Sequence, residues 1–270
     1  MQILKSLLIV FSIGLLTACN SKTKKTEPQT VTESVTTPEE PSHSLSESQR
    51  IIDEAIKAHG GDLYDTANYS FVFRDNTFQF KNNNSEYVYT KIYNKDGSKI
   101  IDVLDNGSFS RTINGKPVQL SDKDMASGTG ALNSVIYFAT LPYKLNDKAV
   151  NAKRMESTTI KGEAYETIQV TFNEDGGGED HDDEYYYWIN KDSKKIDYLA
   201  YNYSVNKGGV RFRVAYNKSV VDGITFQDYT NYEAEVGTPL KDLPALFEAN
   251  KLKELSKIKT EHIINLSKQK

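Results

Sequence analysis

The densest set of metal-type ligands in this 270-residue chain is Asp175, Glu179, Asp180, Asp182 and Asp183, gathered around three consecutive glycines and His181. Hard carboxylate oxygens at this density suit Ca²⁺. Their spacing does not follow the EF-hand loop, and the glycines describe a hairpin tip. The plainer reading is a solvated acidic loop between two strands, with Ca²⁺ as its alternative; no other cofactor is expected. Catalytic signatures are missing from the rest of the sequence: no G-x-S-x-G, P-loop, H-E-x-x-H or dinucleotide fingerprint occurs. The chain is therefore read as a non-enzyme. Its remaining chemistry is aromatic, with 17 tyrosines and 11 phenylalanines. Phe71, Phe73, Phe78, Phe80 and Tyr187 are candidates for contact with a hydrophobic ligand. Arg74, beside Asp75, is a candidate for reading a head group at a cavity rim. Arg211 and Arg213 alternate with aromatic residues and read as solvent-facing decoration of a sheet. In Tyr185-Tyr186-Tyr187-Trp188 alternation sends one pair to each face, one to the core and the other outward or to a cavity mouth.

Cys19 is the only cysteine in the chain. It follows a positive residue, Lys5, a short apolar run from Leu7 to Leu16, and then Thr17-Ala18. The run is too short to span a membrane, which takes roughly 20 apolar residues. The tetrad Leu16-Thr17-Ala18-Cys19 resembles a bacterial lipobox, in which cleavage before the cysteine accompanies acylation of its sulfur. Two or more acyl chains hold a protein firmly where one holds it marginally, each buried CH₂ contributing about 0.8 kcal/mol. Residues 1–18 then read as a lipoprotein signal peptide and Cys19 as the lipidation site. By the enterobacterial sorting rule Asn20 implies the outer membrane, and the absence of an acidic run after it a protein facing the periplasm. Residues 19–44 read as a disordered tether of Ser, Thr, Pro, Glu and Lys, reaching on the order of 25–30 Å as a random coil. Residues 45–270 read as one folded domain. The net charge of −4 and pI near 5.7 offer no basic footprint for nucleic acid.

The elements that must position these side chains begin with a helix capped at Ser44 or Ser46 and stopped at His59-Gly60-Gly61, His59 complementing the dipole of its last turn. Period-two alternation then takes over. Strands fall at Tyr69–Arg74, Phe78–Phe80, Glu86–Tyr93, Lys99–Leu104 and Ser108–Ile113, with turns at Asp75-Asn76, Asp96-Gly97, Asn106-Gly107 and Asn114-Gly115. A helix capped by Ser121 follows, weakened by Gly128 and Gly130 and firm from Ala131 to Thr140. Six further strands lead to a short helix from Asp242 to about Asn250, and one closing strand covers Lys257–Ile264. The absence of βα alternation argues against a parallel-sheet enzyme. The fold class is α+β: a strongly curved antiparallel sheet wrapping one or two helices.

This layout behind an acylated leader resembles the LolA/LolB group of envelope proteins, whose half-open barrel holds acyl chains in an apolar cavity plugged by helices. No match to LolB's exposed apolar loop is present. The stretches Ala58-His59-Gly60-Gly61, Phe71-Val72-Phe73-Arg74 and Leu141-Pro142-Tyr143-Lys144-Leu145 resemble an uncharacterised family of bacterial envelope lipoproteins. A Schiff-base aldolase would need a (β/α)₈ barrel and a buried lysine, which this order of elements does not offer. The resemblance implies a monomeric, membrane-anchored protein that binds a lipid or the acyl chain of a lipoprotein in the concavity of its sheet. The alternative is an interaction lipoprotein with a filled core that binds protein or glycan through its loops.

Overall fold

The structure, a computed structural model, describes residues 45–173, 183–204 and 207–269. Helix α1 spans Glu47–His59, and the Ser46 hydroxyl accepts the Gln49 N–H at 3.1 Å. It ends where the Gly60 N–H donates to the Ile56 carbonyl and Gly61 takes a φ of 55°, a conformation open to glycine without a Cβ penalty. Ile51, Ile52 and Ala55 form its buried stripe.

His59 departs from expectation. It is fully buried and its Nδ1–H donates to the Ala55 carbonyl at 2.8 Å. Burial lowers its pKa from 6.5 to about 3. A neutral imidazole cannot complement the dipole by charge, so desolvation overrides that role.

Strands β1 (Asn68–Phe73), β2 (Asn76–Asn83), β3 (Glu86–Lys95), β4 (Ser98–Asp105), β5 (Ser108–Ile113) and β6 (Lys116–Pro117) form successive hairpins. Three turns sit at the Asp-Gly and Asn-Gly pairs read from the sequence, with both residues of each pair at positive φ. The first turn falls one residue earlier than expected. Arg74 and Asp75 occupy it at φ 49° and 63°, because Phe73 already pairs with Asn76. Arg74 is therefore a turn residue and not part of a strand face.

Helix α2 runs unbroken over Asp122–Ala139, with the Ser121 hydroxyl accepting the Asp124 N–H. Gly128 does not break it: a Cβ there would lie 2.3 Å from the Phe109 ring, so the glycine lets that ring lie against the helix. Strands β7 (Val150–Ile160), β8 (Glu163–Phe172), β9 (Tyr185–Asn190), β10 (Ile196–Tyr203), β11 (Gly209–Val221) and β12 (Ile224–Ala234) follow, then the short helix α3 (Leu243–Glu248).

The C-terminal segment read as one strand is two, β13 (Lys253–Ile258) and β14 (Glu261–Asn265). They belong to different sheets. One seven-stranded antiparallel sheet has the order β14-β1-β2-β3-β4-β5-β6, the other β13-β12-β11-β10-β9-β8-β7. The antiparallel α+β class holds, the strands being shared between two sheets of which neither closes on itself. At the crossing, the buried Asp228 accepts the Thr260 N–H at 2.8 Å and the Asn217 side-chain amide at 2.9 Å.

Three apolar clusters result. The first lies between α1 and the second sheet, where Tyr187 and Tyr137 share a 2.5 Å hydroxyl contact. A second joins Leu132 and Ile136 of α2 to Phe71, Phe78 and Phe80 of the first sheet. The third covers the far face of the second sheet with Leu243, Leu246 and Phe247. Both faces of β9 are consequently buried, so neither pair of Tyr185–Trp188 decorates an outer face.

Unfolded His59 binds a proton below pH 6.5 and the folded residue only near 3, so its contribution to stability is present above 6.5 and is lost as the pH falls. Moving from pH 7 to pH 5 should cost about 2 kcal/mol, seen in denaturant melts. His59→Gln should flatten that slope; an equal slope in both proteins would exclude this cause. Burial raises the Glu166 carboxyl but Arg154 and Lys191 outweigh it, and Lys194 and Arg50 lower that of Glu54, so both lie below the ordinary 4.5. Asp228→Ala should destabilise the fold by about 1–3 kcal/mol and speed amide exchange at Thr260.

Candidate functional site

Where α2 meets the C-terminal crossing, the two sheets leave an open cavity of about 330 Å³. One wall is apolar and comes from three directions. Strand β1 presents Phe71 and Phe73, α2 presents Val135, Phe138 and Ala139, and β13 presents Ile258. The opposite wall is polar, built by Tyr201, Arg213, Gln227, Tyr229 and Asn231 from three neighbouring strands of the second sheet. Exposed Arg74, in the first hairpin turn, stands at the rim with its guanidinium 5.0 Å from the Phe73 ring centre. Among the described residues, no Asp or Glu lines it.

Arg213 is the most unusual member. It is 8% exposed, and its guanidinium carbon lies 3.9 Å from the centre of the Phe138 ring and 5.1 Å from that of Tyr201. One terminal nitrogen donates to the Tyr201 hydroxyl at 2.8 Å, while its buried Nε has no partner. Two more polar atoms on this wall, Gln227 Oε1 and Asn231 Oδ1, are also buried and unpartnered. The Gln227 amide nitrogen donates to the Ile196 carbonyl at 2.9 Å and to the Tyr229 hydroxyl at 2.6 Å. Burial pushes the Tyr229 phenol up to about 12, so it keeps a proton to donate. Buried polar groups are nearly always paired; three orphans on one wall mark a surface built to meet something polar.

The structure brings together Phe71, Phe73 and Arg74 of the residues singled out in the sequence. Phe78 and Phe80 are buried behind them, Phe78 stacked on Phe71 with ring centres 5.7 Å apart. Tyr187 lies in the first core cluster and does not line the cavity. Arg213 was expected to face solvent and instead faces inward, because both sides of the second sheet are covered. Its signal was the matching period-two series Gln227, Tyr229, Asn231 on β12. Cys19, Asp175, Glu179, Asp180 and Asp182 lie outside the described residues, and Asp183 is described as buried.

A larger hollow of about 860 Å³ lies at the end of α1, but Lys57, Asp62, Leu63 and Asn146 on its rim are exposed and no core aromatic lines it. It is a surface depression with the character of solvent-facing loops.

No curated protein matches the chain. Among solved structures, it is similar to a LolA superfamily protein from Nitrosomonas europaea at 9% identity and a TM-score of 0.47, over 80% of this chain and 92% of that one. A protein domain from Vibrio parahaemolyticus named for outer membrane lipoprotein sorting is similar at 7% identity and a TM-score of 0.44, over 83% and 95%. A DUF1329 family protein from Desulfovibrio piger gives 10% and 0.39, over 83% and 95%. Such likenesses carry no ligand or partner to this chain. A family model matches residues 5–260, nearly its whole length, and the chain belongs to that family, DUF6503, a family of unknown function.

Proposed function

We propose that this chain is a non-catalytic, lipid-anchored envelope protein that binds a hydrophobic ligand, a lipid or the acyl chain of a lipoprotein, at the seam between its two sheets. The observation that carries the reading is the cavity of about 330 Å³ walled by Phe71, Phe73, Val135, Phe138 and Ile258. Ligand sites begin at about 300 Å³ and combine apolar walls with a few placed polar groups. An interaction protein with a filled core would have no use for that space. Burying a chain there gains about 0.8 kcal/mol per CH₂, which favours an aliphatic occupant over a polar one.

Native mass spectrometry of the purified protein should show adducts at lipid masses, and Val135→Trp, which fills the cavity, should remove them. A wild-type spectrum without adducts, even after incubation with total membrane lipid, would overturn the reading. Anchoring is tested separately. Labelled palmitate should enter the wild-type chain and not Cys19→Ser, and the variant should move from the detergent phase to the aqueous phase.

A further inference from the structure

We propose that the cavity selects a single-chain amphiphile with an anionic head group, a carboxylate or a phosphate, and that the guanidinium of Arg213 receives that charge. The proposal rests on the preceding reading that the cavity holds a hydrophobic ligand, and it names the ligand's chemistry.

The argument starts from an asymmetry between two arginines on one strand. Arg211 lies opposite Glu233 across the β11–β12 ladder, and Arg213 lies opposite Asn231. The outer cation therefore has a carboxylate across from it and the inner one a neutral amide. The positive field of Arg211 helps to hold the Glu233 carboxyl below its ordinary range, after the larger effect of Lys253. Arg213 forms no ion pair among the described residues, although it is 8% exposed. Removing a cation from water is strongly unfavourable unless charge and hydrogen bonds replace the lost hydration. The Phe138 face offsets part of that through a desolvated cation–π contact, and Tyr201 supplies one hydrogen bond. The Nε–H still has no acceptor.

The surroundings fit an anion and a chain. The Tyr229 hydroxyl, already accepting from Gln227, has its own proton free to donate. Arg74 adds a second positive charge at the rim. The buried acid of the same strand, Asp228, spends both oxygens on Thr260 and Asn217. A head group between Arg213 and Tyr229 would direct its tail along Phe71, Val135 and Phe138. The cavity's volume, at the low end of ligand sites, suits one chain and not two. The orphan acceptors Gln227 Oε1 and Asn231 Oδ1 would take a hydroxyl or a water carried with the head group.

The test titrates the purified, delipidated full-length protein with palmitate, 1-palmitoyl lysophosphatidate and the neutral 1-palmitoylglycerol, read by native mass spectrometry. At least one anion should bind roughly ten- to hundredfold tighter than the neutral lipid; which one separates a carboxylate from a phosphate source. Arg213→Gln should erase that preference, and Arg213→Lys should keep it in weakened form. Equal binding of all three lipids, or a preference that survives Arg213→Gln but not Arg74→Gln, overturns the proposal while leaving lipid binding intact. Binding of none of the three overturns both. Should Arg213→Gln fail to fold, Arg213→Lys decides: a preference unchanged from wild type, with no weakening, counts against the guanidinium.

Discussion

Without β13 and β14 the two sheets would hold six strands each and leave rows of unpaired backbone donors and acceptors along β1 and β12. Such edges invite pairing with other chains. One short segment covers both: β13 pairs with β12, the chain crosses at residues 259 and 260, and β14 pairs with β1. The crossing also fixes how far apart the sheets stand. Strands joined over two residues cannot separate freely, and α2 must fit into the angle that remains. Its Leu132 and Ile136 turn to one sheet, its Tyr137 and Phe138 to the other. The cavity is the part of that angle which the helix leaves unfilled.

Polar chemistry inside the angle follows from burial on both sides. In a sheet with one wet face, alternating charges face water and need no explanation. Here α1 and α2 cover one face of the second sheet and α3 the other. A charge that faces inward on its central strands, as Arg213 does, is then a buried charge. The fold answers this in two ways. Tyr137 and Tyr187 pair their hydroxyls, and Asp228 collects N–H donors. Among the described residues Arg213 receives an aromatic face and a phenol but no anion, and its Nε joins Gln227 Oε1 and Asn231 Oδ1 as unpartnered atoms on one wall.

Much of this architecture was legible in the sequence wherever the cause is local. Asp96-Gly97, Asn106-Gly107 and Asn114-Gly115 take positive φ because their own chemistry permits it, and they fix the hairpins of the first sheet. Ser46 and Ser121 cap helices by contacts three residues away. What escaped was set by distant neighbours. Gly128 looks like a helix breaker until the Phe109 ring is placed against it. His59 looks like a dipole partner until its burial is known. The alternation of Ile258, Thr260 and His262 reads as one strand, and only the two partner strands show it as two. The apolar half of the cavity was visible as Phe71 and Phe73; the polar half was not, because the inward direction of Arg213 depends on which faces the helices cover.

The crossing has a consequence in time as well as in space. Tyr69 and its hydrogen-bonding partner Asn265 are 196 residues apart in sequence, so the first strand to be synthesised waits for one of the last before its outer edge is sealed. Loop closure over such a length is slow, and during that interval the wedge has no floor. The pocket is thus among the final features to take shape, and a chain cut before Lys253 would lack both closing strands and keep two sticky borders around an unfinished wedge.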